Sequence, residues 1–270
     1  MIRTLVSVNK DLASSVALRY ACKMARAFDI AFQAIHVQDP GPDYNLPGTG
    51  WVRRTWESAL GESGKTEIEQ LFSSENVDYP LLGRPKIQIG EQEDQILLEL
   101  HRERYDLFME GALSTFRASD FHKMIRSKLF RNMPAPAAVL VKNLVDLDSM
   151  VLVVEYNDTQ HKTIPVFSDF FRQSSIGFDL IVWQPDKKGD PVIENSPDAD
   201  LKTGPVKKLL EKSGCSPKNT GFIKCRPAGL AATLKNFGLV AAGIDRTAGK
   251  KEPVLELLAR TESPVMLLWQ

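Results

Sequence analysis

The sequence has little cysteine: Cys22, Cys215 and Cys225 are the three in 270 residues. Three thiols cannot build a disulfide framework, and their spacing matches no metal-binding pattern. A reducing compartment, the cytoplasm, is the expected setting. There is also no excess of charge. Lys+Arg and Asp+Glu both number 34, a formal net charge of +0. Such a chain has no global attraction for nucleic acid or anionic lipid, so neither is expected as a partner, while a local basic patch stays open. No apolar run approaches the roughly 20 residues that span a bilayer. Residues 1–8 read as a strand followed at once by polar Asn9-Lys10-Asp11, unlike a secretory leader. Ser14-Ser15 and Ser174-Ser175 lack a Gly-x-Ser-x-Gly elbow and a histidine partner, and no convergent pair of titratable groups stands out, so catalysis is not expected. What the chain does have is ordinary globular composition, 43% hydrophobic and 25% charged. That is enough apolar surface to offset the entropy of folding.

Strands and helices alternate from the start. Residues 2–8 form a short β-branched run. Residues 13–28 then carry Val16, Leu18, Ala21, Met24, Ala25 and Phe28 near helical spacing. A second strand over 31–37 stops at Gln38-Asp39-Pro40-Gly41-Pro42, and a long segment, 38–50, follows. A helix over 51–75, weakened by Gly61 and Gly64, leads to a strand at 85–89 punctuated by Gly90. A helix over 91–104, a strand over 106–110, a helix over 115–132 and a strand over 138–141 complete one unit. The pattern then restarts. Strands are expected at 150–155, 178–184, 221–225, 238–243 and 265–269, with helices at 165–173, 201–213, 228–236 and 252–262 and a polar loop over 185–200. Unbroken apolar strands alternating with helices predict a parallel sheet covered on both faces. The internal repeat predicts two tandem open parallel-sheet, Rossmann-like α/β domains of five strands each, over 1–145 and 146–270.

At this point the first half resembles a universal stress protein domain. Leu5-Val6-Ser7-Val8-Asn9-Lys10-Asp11 sits where that family writes a strand ending in Asp-Gly-Ser. Ala34-Ile35-His36-Val37 is similar to its second strand, and Ile89-Gly90 to its strand-end glycine. Residues 106–111 and 134–141 resemble its fourth strand, phosphate loop and fifth strand. The second half matches more faintly, through residues 150–154, 239–243 and 263–268. The resemblance implies a tandem member whose halves pack as an internal pseudo-dimer through the fifth strands, residues 138–141 and 265–269, with homodimers as a further option.

ATP-binding members place Gly-x2-Gly-x9-Gly-Ser/Thr after the fourth strand, because bare backbone N–H groups and a helix N-terminus cradle phosphates. Gly111 aligns with the first glycine. The second falls on Ser114 and the third on Met124, and a two-residue shift brings Arg126-Ser127, still without glycine. In the second half Gly243 is followed by Ile244-Asp245-Arg246, and Glu256 stands where a carboxylate would repel a triphosphate. The family's strand-end aspartate is Asn9 here, with Tyr156-Asn157 in the second half. Neither half keeps the motif, so no cofactor is expected. The resemblance implies a stress-response protein that acts by binding or regulation, with a protein partner or a small ligand. Its alternative is an adenine-nucleotide binder, holding ATP or AMP through Val8, Asn9, Val37, Gly90, Gly111 and Ser114 with weak or no ATPase activity.

Other motifs are weaker. Residues 60–66 imitate a P-loop, but Ala59 replaces its first glycine and no apolar strand precedes it, so a surface helix is expected. His36 reads as a satisfied strand-end histidine. His101, His122 and His161 have no partner at metal spacing. Cys225, beside Arg226, reads as a buried strand cysteine and not a reactive thiol. The charged runs 101–104 and 207–212 read as solvated helix faces. So do Arg117, Lys123, Arg126, Lys128 and Arg131, although a basic helix of this kind could serve an anionic ligand.

Overall fold

The computed structural model describes residues 1–41, 51–75, 81–113, 117–157, 162–172, 174–186, 192–194, 197–247 and 252–269. The first half contributes strands β1 (Ile2–Ser7), β2 (Ile30–Gln38), β3 (Lys86–Ile89), β4 (Leu107–Gly111) and β5 (Ala137–Val141). The second contributes β6 (Met150–Glu155), β7 (Phe178–Pro185), β8 (Val192–Glu194), β9 (Thr220–Cys225), β10 (Leu239–Ile244) and β11 (Val265–Trp269). All eleven join one sheet in the order β3-β2-β1-β4-β5-β11-β10-β6-β7-β9-β8. Each half therefore grows outward from its first strand in both directions, leaving a crevice where the order reverses, between β1 and β4 and between β6 and β10.

The helices are α1 (Leu12–Ala27), α2 (Trp51–Glu75), α3 (Gln92–Arg102), α4 (Ala118–Ile125) and α5 (Lys128–Asn132), then α6 (Thr163–Phe171), α7 (Pro197–Lys212), α8 (Pro227–Thr233) and α9 (Pro253–Arg260). Their apolar faces bury two layers. One layer, with Tyr20, Met24, Phe167 and Leu210, also takes Val139, Leu268 and Leu152 from the sheet. The other, with Ile96, Phe121, Leu230 and Leu257, takes Leu140, Leu267 and Val153. Strands buried on both faces can be apolar at every position, which is why the sequence shows runs and not alternation. None of the described helices is long and apolar enough to cross a membrane.

Three details differ from the sequence reading. The expected helix over 115–132 is two helices broken at Arg126–Ser127. The expected loop over 185–200 contains β8, which pairs antiparallel with β9 and makes a sixth strand in the second half. The helix expected at 201–213 begins earlier and tolerates Pro205 inside it.

Between the halves, β5 and β11 pair antiparallel, Leu140 opposite Val265 and Ala137 opposite Leu268. This is the strand pair that the family resemblance implied. Two cations lock it on one side of the sheet. Lys142, the residue after β5, is 1% exposed. Its Nζ donates to the carbonyls of Leu258, Ala259 and Thr261 at the C-terminus of α9 and lies 4.8 Å from the Phe121 ring centroid. Burial pushes this amine down to about 7, whereas three carbonyl acceptors favour the ammonium, which alone has three N–H donors. Reciprocally, Arg246 after β10 donates to the carbonyls of Arg131, Met133 and Ala135, at and just past the C-terminus of α5, at 3.3, 2.6 and 3.4 Å. Each half thus supplies a cation to helix-end carbonyls of the other, where the dipole is negative. On the opposite face the Tyr20 hydroxyl donates to the Gly238 carbonyl at 2.7 Å.

Replacing Lys142 by Met keeps the volume and orphans those carbonyls. The expected cost is about 1–3 kcal/mol, read as a lower urea midpoint. An unchanged midpoint would show that water takes over the three acceptors.

Candidate functional site

The first crevice lies at the carboxyl ends of β1, β2, β3 and β4. Of the nucleotide-contacting residues implied by the family resemblance, Val8, Asn9, Val37, Gly90 and Gly111 do collect along this edge. Ser114 lies outside the described residues. Their groups are largely engaged within the chain. Val8 donates its N–H to Ile35 at 2.9 Å. The Val8 carbonyl accepts from His36 Nδ1 at 2.9 Å. Asn9 donates its N–H to Ser14 Oγ at 2.7 Å. Val37 is buried and sits in the β2–β3 ladder.

The two glycines also have internal reasons to be glycine. A Cβ at Gly111 would collide with the carbonyl of Ala13, because the first turn of α1 rests directly on the end of β4. Gly90 has φ +144° and donates its N–H to Gln38 at 3.2 Å. That is backbone an L side chain rarely adopts. Both positions are explained without a ligand.

Beside this edge a cavity of about 570 Å³ is lined by Glu91, Glu93, Glu110, Asp120, Lys123 and Met124, among others. Met124, at the third glycine position of the phosphate motif, is among the lining residues. Glu110 is pushed up to about 7, chiefly by burial and further by the charges of Glu93 and Asp11. The helix ends around the cavity carry carboxylates too. Asp11 accepts from the Ser14 N–H at 2.7 Å to cap α1, and Glu91 accepts from Asp94 N–H at 2.9 Å to cap α3. Such caps stabilise a helix by about 1 kcal/mol. They also place a negative charge where a phosphate would use the dipole.

The second crevice, between β6 and β10, holds a cavity of about 320 Å³ lined by Glu155, Asn157, Trp183, Asp245, Thr247 and Glu252, among others. Here too a carboxylate residue, Glu252, stands at a helix N-terminus, that of α9. Glu256, expected to oppose phosphate, instead pairs with Arg260 at 3.0 Å and does not line the cavity. Asp245 is held below the usual carboxylate range by the Thr247 hydroxyl and N–H, both at 2.7 Å.

His36, residues 60–66 and Cys225 sit as the sequence suggested. His36 is buried and bonded at both ring nitrogens, the second to Gln38 Oε1 at 3.1 Å. Residues 60–66 lie within α2, where Gly64 is buried against His36 and Ile87. Cys225 is fully buried, and burial pushes its thiol up. His161 lies outside the described residues, and no group of three His, Cys, Asp or Glu that could hold a metal occurs among them. Sequence reasoning missed Glu110, Lys142 and Arg246. Their one shared signal is a charged residue ending or following an apolar strand.

No family model matches the sequence, and no curated protein matches it. Solved structures do. A universal stress protein from Archaeoglobus fulgidus DSM 4304 superposes over 99% of this chain and 96% of its own, with TM-score 0.63 at 11% identity. The fold is that of the universal stress proteins. A protein of unknown function from Pseudomonas aeruginosa PAO1 superposes over 99% of this chain and 92% of its own, with TM-score 0.57 at 15% identity. In this universal stress fold both crevices lie at the expected switch points, and both are rimmed by carboxylates.

Glu110 generates a pH test. Its folded pKa of about 7 exceeds the ordinary 4.5, so the native state holds more protons between those values. Stability therefore falls as pH rises through that window. Glu110→Gln should stabilise the protein at pH 8 by about 3 kcal/mol, read as a raised melting temperature, and leave the melting temperature nearly unchanged at pH 4. Equal effects at both pH values would contradict the assignment.

Proposed function

We propose that this chain is a binding or regulatory protein of the universal stress type, built from two domains over 1–145 and 146–270, whose crevices do not take nucleotide through a phosphate nest. The observation that carries this reading is the placement of Asp11, Glu91 and Glu252 at helix N-termini on the crevice edges. A triphosphate entering either crevice would meet like charge instead of bare N–H groups. The side chain of Met124 and the internally bonded Val8 and Asn9 remove further contacts on which an adenine nucleotide would rely. The occupant is a protein partner or a small ligand that is neutral or cationic, and the protein is cytoplasmic and contributes to a stress response without ATP hydrolysis.

Adenosine, AMP and cyclic AMP test this by thermal shift, since a ligand at one hundred times its dissociation constant adds about 2.7 kcal/mol of stability. The expected result is no rise in melting temperature with any of the three. MgATP should add nothing beyond the effect of pyrophosphate. A clear rise with adenosine or AMP, at one or two sites per chain, overturns the reading in favour of an adenine-nucleotide binder.

A further inference from the structure

The break between α4 and α5 does something a continuous helix would not. Arg126 ends α4, Ser127 donates its N–H to Met124 at 2.9 Å, and the chain turns. Arg126, Lys128 and Arg131 then line a single cavity of about 510 Å³, together with Asn132 and, from across the seam, Arg246 and Thr247. This cavity is separate from the crevice floors, but Thr247 lines both it and the second crevice, so the two open side by side.

The charges in this groove are unbalanced. Arg126 and Arg131 are exposed, and neither makes an ion pair among the described residues. Lys128 is shared with Asp94, an exposed pair that contributes little. Arg246 is held rigid by its three carbonyl acceptors and by the Trp269 ring, whose centroid is 4.8 Å from the guanidinium carbon. Of the nearby carboxylates, Asp94 is engaged by Lys128, and Asp245 is engaged by Thr247. No carboxylate is among the groove's own lining residues. Three guanidinium groups around one concavity, in a chain of zero net charge, repel one another until an anion sits between them. Planar guanidinium forks match phosphate oxygens bidentately, which ammonium groups cannot do.

We propose that this seam groove binds the phosphate groups of a small, multiply charged phosphate compound, with both halves of the chain contributing. The cavity has the volume of a small-ligand site. The groove is one small concavity in a chain of zero net charge, not the extended basic stripe that nucleic acid requires. Because Arg246 comes from the second half and Arg126 and Arg131 from the first, the site exists only when the seam is formed. The phosphate chemistry excluded from the carboxylate-rimmed crevices is relocated to the junction between them.

Isothermal titration of the full chain with pyrophosphate tests the proposal. Wild type should bind saturably with a stoichiometry of one. The exposed double variant R126Q/R131Q should bind at least tenfold more weakly with a melting temperature no lower than that of wild type. The charge-matched control K207Q/K208Q, on exposed positions of α7, should bind as wild type does. Absence of saturable binding, undiminished binding by R126Q/R131Q, or an equal loss in K207Q/K208Q would each overturn it. The crevice reading is judged with adenosine, AMP and cyclic AMP, and so fails or survives independently.

Discussion

Two sheet edges that would otherwise be open meet at β5 and β11, and the rest of the molecule depends on that pairing. An edge strand such as Ala137–Val141, apolar on both faces, is a template for aggregation when left alone. Here Val139, Leu140, Leu267 and Leu268 close the edge and extend both hydrophobic layers across it. The antiparallel pairing relates the halves by an approximate twofold, so the carboxyl ends of their parallel strands carry two separate crevices. The same relation brings α4 beside α9 and places Lys142 at the C-terminal end of α9 and Arg246 at that of α5.

Charge placement follows from this geometry. Helix N-termini point toward the crevice edges, and the chain puts its own carboxylates there. Helix C-termini at the seam receive its cations. The dipoles are therefore satisfied internally in both places. What is left over is the arginine excess at the seam turn, where carbonyl acceptors hold Arg246 and nothing in the lining neutralises Arg126 or Arg131. Internal compensation at the crevices and its absence at the groove follow from one arrangement of elements.

Much of the fold was legible in the sequence. Apolar runs bounded by Asn9, Gly90 and Gly111 mark strands because fully buried parallel strands need no alternation, and the repeat of that pattern gave the two halves, while their β5–β11 contact came from the family resemblance. The helix break at Arg126–Ser127 was not legible, since neither residue is a breaker and the apolar spacing runs through it. Tertiary packing against α9 and α3 decides it. Strand β8 was hidden because Val192–Glu194 is three residues in a polar stretch. At the site, the loss of glycines at Ser114 and Met124 could be counted, but the roles of Glu110 and Glu252 could not. A carboxylate's effect depends on which way it points, as Glu256 shows by turning to Arg260.

Native-state hydrogen exchange across the seam addresses the central claim most directly. If the halves form one cooperative unit through β5 and β11, the amides of residues 138–140 and 266–268 exchange only through global unfolding, with the same free energy as the β1 and β6 amides. Seam amides that exchange by a lower-energy opening, while β1 and β6 stay protected, would mean that the halves are independent domains in loose contact. The reciprocal locks at Lys142 and Arg246 would then be incidental.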